Sequence, residues 1–234
     1  MGIAHSYEPC FEHVPDDPAE RWTLLREFVC RWHNINLPHL RDCERASNCE
    51  EDELSIRFPH SLREWVAFSK DLITLGEFDH VLRDCYRVAR LKGHRATSIM
   101  LQGEGDVYWA VTDQNLQQAD PQIDEYVEDF DEPKRPFVHG RIHSPTTTSF
   151  VLGHMSYFLG PGYVRSNGID DSLIQDMSKE FPVVVRFDHL QVFEKRNLVA
   201  FINPQNGGHR TLIVACHSNF TDDDMPPCIR RMSP

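Results

Sequence analysis

The sequence predicts an α+β protein, a largely antiparallel sheet packed against helices with a helical extension at the N-terminus. Two observations carry this. Apolar residues recur at helical spacing in the first 76 residues, then alternate or gather in short runs through most of the remaining chain. The order is helices, strands, one helix, then strands again, without the regular strand–helix alternation of a parallel sheet.

The first helix is expected from Pro18 to Trp32. Asp17 is placed to cap it, and Pro18 fits the first helical position, where a missing N–H costs nothing. Trp22, Leu25, Phe28, Val29 and Trp32 share one face. Leu37-Pro38 ends the element, and the polar stretch from His39 to Asp52 reads as a loop or a short exposed helix. A second helix starts at Phe58-Pro59-His60-Ser61, with Ser61 as cap and Glu64 completing a capping box. Leu62, Trp65, Val66 and the run Phe68 to Leu72 supply its buried stripe, and Gly76 closes it.

Tyr86, Val88 and Leu91 alternate with polar residues as in a strand. Ser98 to Leu101 and Val107 to Val111 flank Gly103-Glu104-Gly105-Asp106 and predict a hairpin, because glycine accepts the positive φ of tight turns. Tyr126 to Phe130 reads as a short strand and Glu132 to Pro136 as a loop. Ser144-Pro145-Thr146 opens a third helix that runs to about Leu159, with Phe150, Val151, His154, Met155 and Phe158 on one face. Four more strands are expected at Val183–Phe187, Leu190–Phe193, Leu198–Ile202 and Thr211–Cys216, with Asn206-Gly207-Gly208 as the turn before the last. The chain thus divides into a helical extension, 1–48, an α+β domain, 49–219, and a tail, 220–234.

Composition limits the function. The net charge is -12, from 24 Lys+Arg against 36 Asp+Glu, and such a surface repels a phosphate backbone. No nucleic-acid partner is expected. The seven cysteines include no CxxC pair and read as scattered thiols of a cytoplasmic protein, with Cys30 and Cys85 as small core residues. No apolar run is long enough to span a bilayer, and the opening residues lack the pattern of a signal segment.

Catalytic motifs are missing: the sequence has no GxSxG, HExxH, GxxxxGK[ST] or GxGxxG. No catalytic residue and no cofactor is therefore expected. Among thirteen histidines, the closest metal-like set is His39, Cys43 and Cys49. It falls short of the four closely spaced ligands of a structural zinc site, so no metal is expected. His139 and His143 are separated by Gly140 and followed by Pro145, which does not secure helical ligand geometry. His154 reads as a hydrogen-bonded histidine at the edge of a core.

The strongest charge feature runs from Asp113 to Glu132 and contains no Lys or Arg. It reads either as a solvated rim or as a docking surface for a basic protein. In the second reading Asp120, Asp124, Glu125, Glu128 and Asp129 supply charge, while Tyr126 and Phe130 supply apolar anchors. Trp65, Trp109 and Phe150 are assigned to the structural core.

The segment Phe58-Pro59-His60-Ser61-Leu62-Arg63-Glu64-Trp65 resembles the "LP-x-SLREW" helix start of the SUKH superfamily. That group includes yeast cell-wall glucan-synthesis regulators and bacterial immunity proteins against polymorphic toxins. Leu101 to Val111 is similar to the family's strand-turn-strand with a tryptophan, Asp120-Pro121-Gln122-Ile123 to its "DPPV" turn, and Thr148-Ser149-Phe150-Val151 to its "TSF" helix start. The similarity spans about Glu50 to Leu159 and extends loosely into the β-rich end. Phe58 stands where leucine is usual, and Gln122 where a second proline is usual. The resemblance implies a SUKH-like α+β fold and a non-catalytic role in binding protein. The first expectation is an immunity protein that blocks a toxin, such as a basic nuclease domain. The alternative is a regulatory scaffold that binds a peptide or signalling partner, and a hydrolase with an unrecognised site is a third reading.

Overall fold

The computed structural model describes residues 9–33, 35, 42–76, 82, 86–102, 106–129, 137–157, 162–204, 210–216 and 225–230. These residues form an α+β protein, as the sequence predicts. The strands make two five-stranded sheets, both wholly antiparallel, where the sequence pointed to one. The helices are α1 (Pro18–His33), α2 (Cys43–Leu54), α3 (His60–Leu75), α4 (Thr147–Tyr157), α5 (Asp171–Glu180) and α6 (Pro227–Arg230). No helix among the described residues is long and apolar enough to cross a membrane.

Contacts divide the chain into two compact units. The first comprises Asp17–Trp22 and Asn36–Val151, the second Met1–Asp16, Thr23–Ile35 and Leu152–Pro234. The boundaries fall inside α1 and α4, not at the 48/49 and 219/220 divisions read from the sequence. A continuous helix gives no compositional sign of the point at which its packing partner changes.

In the first unit, Asp17 caps α1 as expected, its Oδ1 accepting the N–H groups of Ala19 and Glu20 at 2.9 and 3.1 Å. The polar stretch after His39 resolves into α2 from Cys43, capped by Asp42. The start of α3 differs from expectation. Pro59 is its N-cap, and buried Ser61 lies inside the first turn, its N–H donating to the Ala119 carbonyl at 3.2 Å. The capping box with Glu64 is not formed, because the proline-fixed backbone sets the helix start two residues earlier. Gly76 closes α3 with φ 75°, a conformation glycine adopts without strain.

Buried Glu51 ties α2 to α3. Its carboxylate accepts the Phe58 N–H at 2.7 Å and bonds from Arg57 and Arg63 at 2.8 Å each. The buried stripe of α3 then meets the first sheet, where Trp65 Nε1 donates to the Ile99 carbonyl at 3.2 Å. That sheet is a meander in chain order: β1 (Tyr86–Arg90), β2 (Ala96–Leu101), β3 (Val107–Thr112), β4 (Ile123–Glu128) and β5 (Phe137–Ser144). Strand β5 was not anticipated. The Gly103–Gly105 turn, Cys85, Phe130 and the 132–136 loop lie outside the described residues.

In the second unit the strands are β6 (Gly162–Asn167), β7 (Val183–Phe187), β8 (Leu190–Lys195), β9 (Leu198–Pro204) and β10 (Arg210–Cys216), in the order β6-β10-β9-β8-β7. Strand β6 and helix α5 are additions to the sequence reading. Met177 and Phe181 pack with Phe193, Leu198, Ile202, Leu212 and Val214 in one core cluster. Phe11, Phe28 and Phe201 form a separate aromatic group with centroids 4.7 to 6.2 Å apart. Glu194, only 2% exposed, accepts the N–H groups of Cys10 and Phe11 at 2.8 Å and anchors the segment before α1. Cys30 is half-buried, not a full core residue, and burial pushes its thiol pKa up. Within the expected tail, Cys228 and Ile229 of α6 are buried. Phe158 and the Asn206-Gly207-Gly208 turn lie outside the described residues.

The buried carboxylates can be tested separately. Glu194→Ala leaves two backbone donors without their acceptor and should cost about 2–3 kcal/mol in urea denaturation, while Glu194→Gln, which keeps one oxygen, should cost less. An unchanged midpoint in Glu194→Ala contradicts the anchoring role. For Glu51, burial raises the carboxyl pKa, but the bonds from Arg63, the Phe58 N–H and Arg57 outweigh it and hold it below its ordinary 4.5. A carboxyl lowered by folding stabilises fully above its unfolded pKa, and this is lost as pH falls through the folded value. Glu51→Gln should therefore flatten the loss of stability below pH 4.5, measured as urea midpoint against pH.

Candidate functional site

Strand β4 carries part of the acidic stretch, and β5 beside it is, among the described residues, an edge of the first sheet. Their register breaks between Ile123 and Asp124 and between Glu125 and Tyr126. Gly140 sits at the second break. A Cβ there would lie 3.3 Å from Glu125 Oε1 and 3.4 Å from its carbonyl oxygen, a tight fit that a side chain would enter only if the Glu125 carboxylate shifted by a few tenths of an ångström.

Side chains of a strand point alternately to opposite faces, and this splits the expected docking surface. Asp120 accepts the Thr148 N–H at 3.0 Å and the Thr148 hydroxyl at 2.6 Å, holding the first turn of α4. Asp124 is 4% exposed, with Gln122 Nε2 donating to it at 2.7 Å and His139 Nε2 3.5 Å from its other oxygen. Tyr126 is also 4% exposed. It packs with Leu91, Ala96 and Ala110, and the His94 and His139 rings each meet it edge-on at 5.2 Å. Burial pushes its hydroxyl pKa up, and the Asp124 charge adds to this. These three side chains serve the interior, which corrects their reading as exposed docking groups. Glu125 is half-buried against Arg141 at 3.3 Å, and Glu128 and Asp129 are half-buried.

The run lacks basic residues in sequence, but the sheet brings them from neighbouring strands. Arg90 binds Asp113 with two bonds at 2.5 and 3.0 Å, and Arg95 reaches it at 3.4 Å. The hydrogen bond from Arg90 is the main cause that holds the Asp113 carboxyl below its usual range. Of the assigned core residues, Trp65 and Phe150 are fully buried. Trp109 is half-buried, with its ring 5.6 Å from Phe150 and 5.7 Å from His143.

Three segments that carry the SUKH resemblance meet in space. Ser61 in the first turn of α3 bonds to Ala119, the next turn residue Asp120 bonds to Thr148, and the Thr147 hydroxyl donates to the Pro121 carbonyl at 2.9 Å. These motif residues are therefore a structural junction.

What the acidic stretch leaves open is apolar. Val138 and Ile142 on β5 are 52% and 56% exposed, and Val127, the cross-strand partner of Val138, is 38% exposed. Among the described residues β5 pairs on one side only, with β4. Two clefts are also present, one in each unit. One of about 480 Å³ is lined by Arg95, Thr112, Asp113, Gln114 and Tyr126. The other, about 520 Å³, includes Arg186, His189, Gln191 and an Asp171–Arg210 pair, and burial lowers the His189 pKa. In the first Asp113 is paired with Arg95, and in the second Asp171 is paired with Arg210 while Arg186 donates to the Asp188 carbonyl; neither brings a nucleophile to a base among the described residues.

No family model matches this chain, and no curated protein or solved structure matches it. The SUKH resemblance rests on the quoted segments.

The two kinds of acidic residue should separate experimentally. Asp120→Ala removes both acceptors at the start of α4 and should cost about 1–2 kcal/mol. Glu128→Lys changes a surface strand and should shift stability by no more than about 0.5 kcal/mol. Thermal unfolding of both variants tests this, and equal losses would contradict the placement.

Proposed function

We propose that this chain is a non-catalytic protein-binding module that receives an extended segment of a basic partner along β5. The observation that carries the reading is the exposure of Val138 and Ile142 on a strand that, among the described residues, pairs on one side only. Exposed edges template strand addition, and proteins ordinarily guard them with charge, proline or a covering element. A partner strand would gain main-chain hydrogen bonds from β5 and apolar contact with Val138 and Val127 on one face of the sheet and with Ile142 on the other. Glu128 follows Val127 on β4, and the net charge of -12 favours a basic partner while opposing self-pairing of two copies.

Within this class, toxin neutralisation is the favoured role. The SUKH resemblance supports it, and an acidic protein complements the basic substrate cleft of a nuclease. The free thiols suit work in a reducing compartment such as the cytoplasm. A regulatory scaffold would use the same edge and differ in its partner.

The test pairs the purified chain with the product of a toxin gene beside its own. A Val138→Lys, Ile142→Lys double variant should weaken the complex by more than about tenfold, a loss of roughly 1.4 kcal/mol or more. Leu75→Lys, an exposed position on α3, should leave it unchanged. Association should slow as salt rises. Unchanged affinity in the β5 double variant contradicts the reading, and a wall-synthesis or signalling partner in place of a toxin favours the scaffold role.

A further inference from the structure

The first residue of α2 and the first turn of α3 bring together three groups that partner binding does not use. Cys43 opens α2, while His60 and Glu64 lie one turn apart on a single face of α3. One ligand atom from each lies within 4.8 Å of the others. His60 Nε2 is 3.8 Å from Glu64 Oε1, beyond hydrogen-bond length. That nitrogen is buried and has no hydrogen-bond partner among the described residues. The His60 ring is 40% exposed, and this one nitrogen, shielded from solvent beside a thiol and a carboxylate and hydrogen-bonded to neither, is placed as a ligand.

We propose that Cys43, His60 and Glu64 form a zinc site, with water in the fourth position. The donor set selects the metal. Sulfur and imidazole nitrogen suit zinc and are poor ligands for calcium or magnesium, which take oxygen. A thiolate and a carboxylate with a neutral imidazole balance the charge of a divalent ion, and binding releases the Cys43 proton to solvent. The scaffold is already fixed: Glu51 joins the two helices, Lys70 of α3 bonds to Glu50 at 2.9 Å and to the Ala46 carbonyl at 2.7 Å, and Arg63 lies 3.6 Å from Glu44. The sequence led to no metal being expected, and of the His39, Cys43 and Cys49 grouping weighed there only Cys43 belongs to this set. Cys49 is exposed and lies about 240° around α2 from Cys43, while His39 is outside the described residues. The proposal is independent of the β5 edge.

Cobalt and zinc titrations of the metal-free full-length protein test it. Wild type should take up one equivalent of cobalt and show a thiolate-to-cobalt charge-transfer band in the near ultraviolet. Cys43→Ser should lose the band, and His60→Gln should weaken zinc binding by more than about tenfold. Cys49→Ser should behave as wild type. Zinc should raise the melting temperature of wild type and not of Cys43→Ser, since a ligand of the native state stabilises it by mass action. Absence of the band in wild type, or its persistence in Cys43→Ser, overturns the proposal. So does an equal zinc-induced rise in melting temperature in both proteins.

Discussion

A meander sheet that does not close must end in two strands that hydrogen-bond on one side only, and each protein has to manage those ends. In the first sheet the ends are β1 and β5. Strand β1 has five residues, carries exposed Arg87, and directs Arg90 to Asp113. In the second sheet β7 also has five residues and exposes Arg186 beside Val184. Strand β5 is longer, at eight residues, and places Val138 and Ile142 outward. It is the least guarded of these edges, and the functional reading depends on that difference.

The acidity of the chain is partly internal architecture. A carboxylate taken out of water is tolerable only when donors surround it. Glu51, Asp120 and Glu194 each meet that condition with two or more donors, and Asp124 with a bond from Gln122 and the His139 ring 3.5 Å away. They hold helix starts, a strand end and the N-terminal segment in place. The charge left for a partner is smaller than the sum of acidic residues suggests. The polar junction of α3, the 119–121 turn and α4 sets where β4, and so β5, lies in the sheet.

Local signals made much of the fold legible. Asp17-Pro18 fixed the start of α1, Gly76 the end of α3, and β-branched runs the strands of the second sheet. The missing elements have physical reasons. Strand β5 reads Phe-Val-His-Gly-Arg-Ile-His-Ser, with a glycine at a register break and its aliphatic residues facing outward, the reverse of a buried pattern. Helix α5 did carry a signal, the Asp170 cap with Leu173, Ile174 and Met177 at helical spacing. The Ser61 cap failed because Pro59 had already set the helix start. For the site, sequence located the acidic residues but not their orientation, since Arg90, Arg95, His139 and Thr148 arrive from other strands and a helix. The Cys43–His60–Glu64 group was hidden because it spans two helices, one of which was not placed, and only the His60–Glu64 spacing is local.

Amide hydrogen exchange on the complex with the partner measures the central claim most directly. In the free protein the outward-facing amides of β5 should exchange fast, and in the complex they should become protected along residues 137–144, with little change at β1 or β7. Protection confined to another edge, or to the clefts, with β5 amides exchanging as in the free chain, would contradict the assignment of β5 as the binding strand.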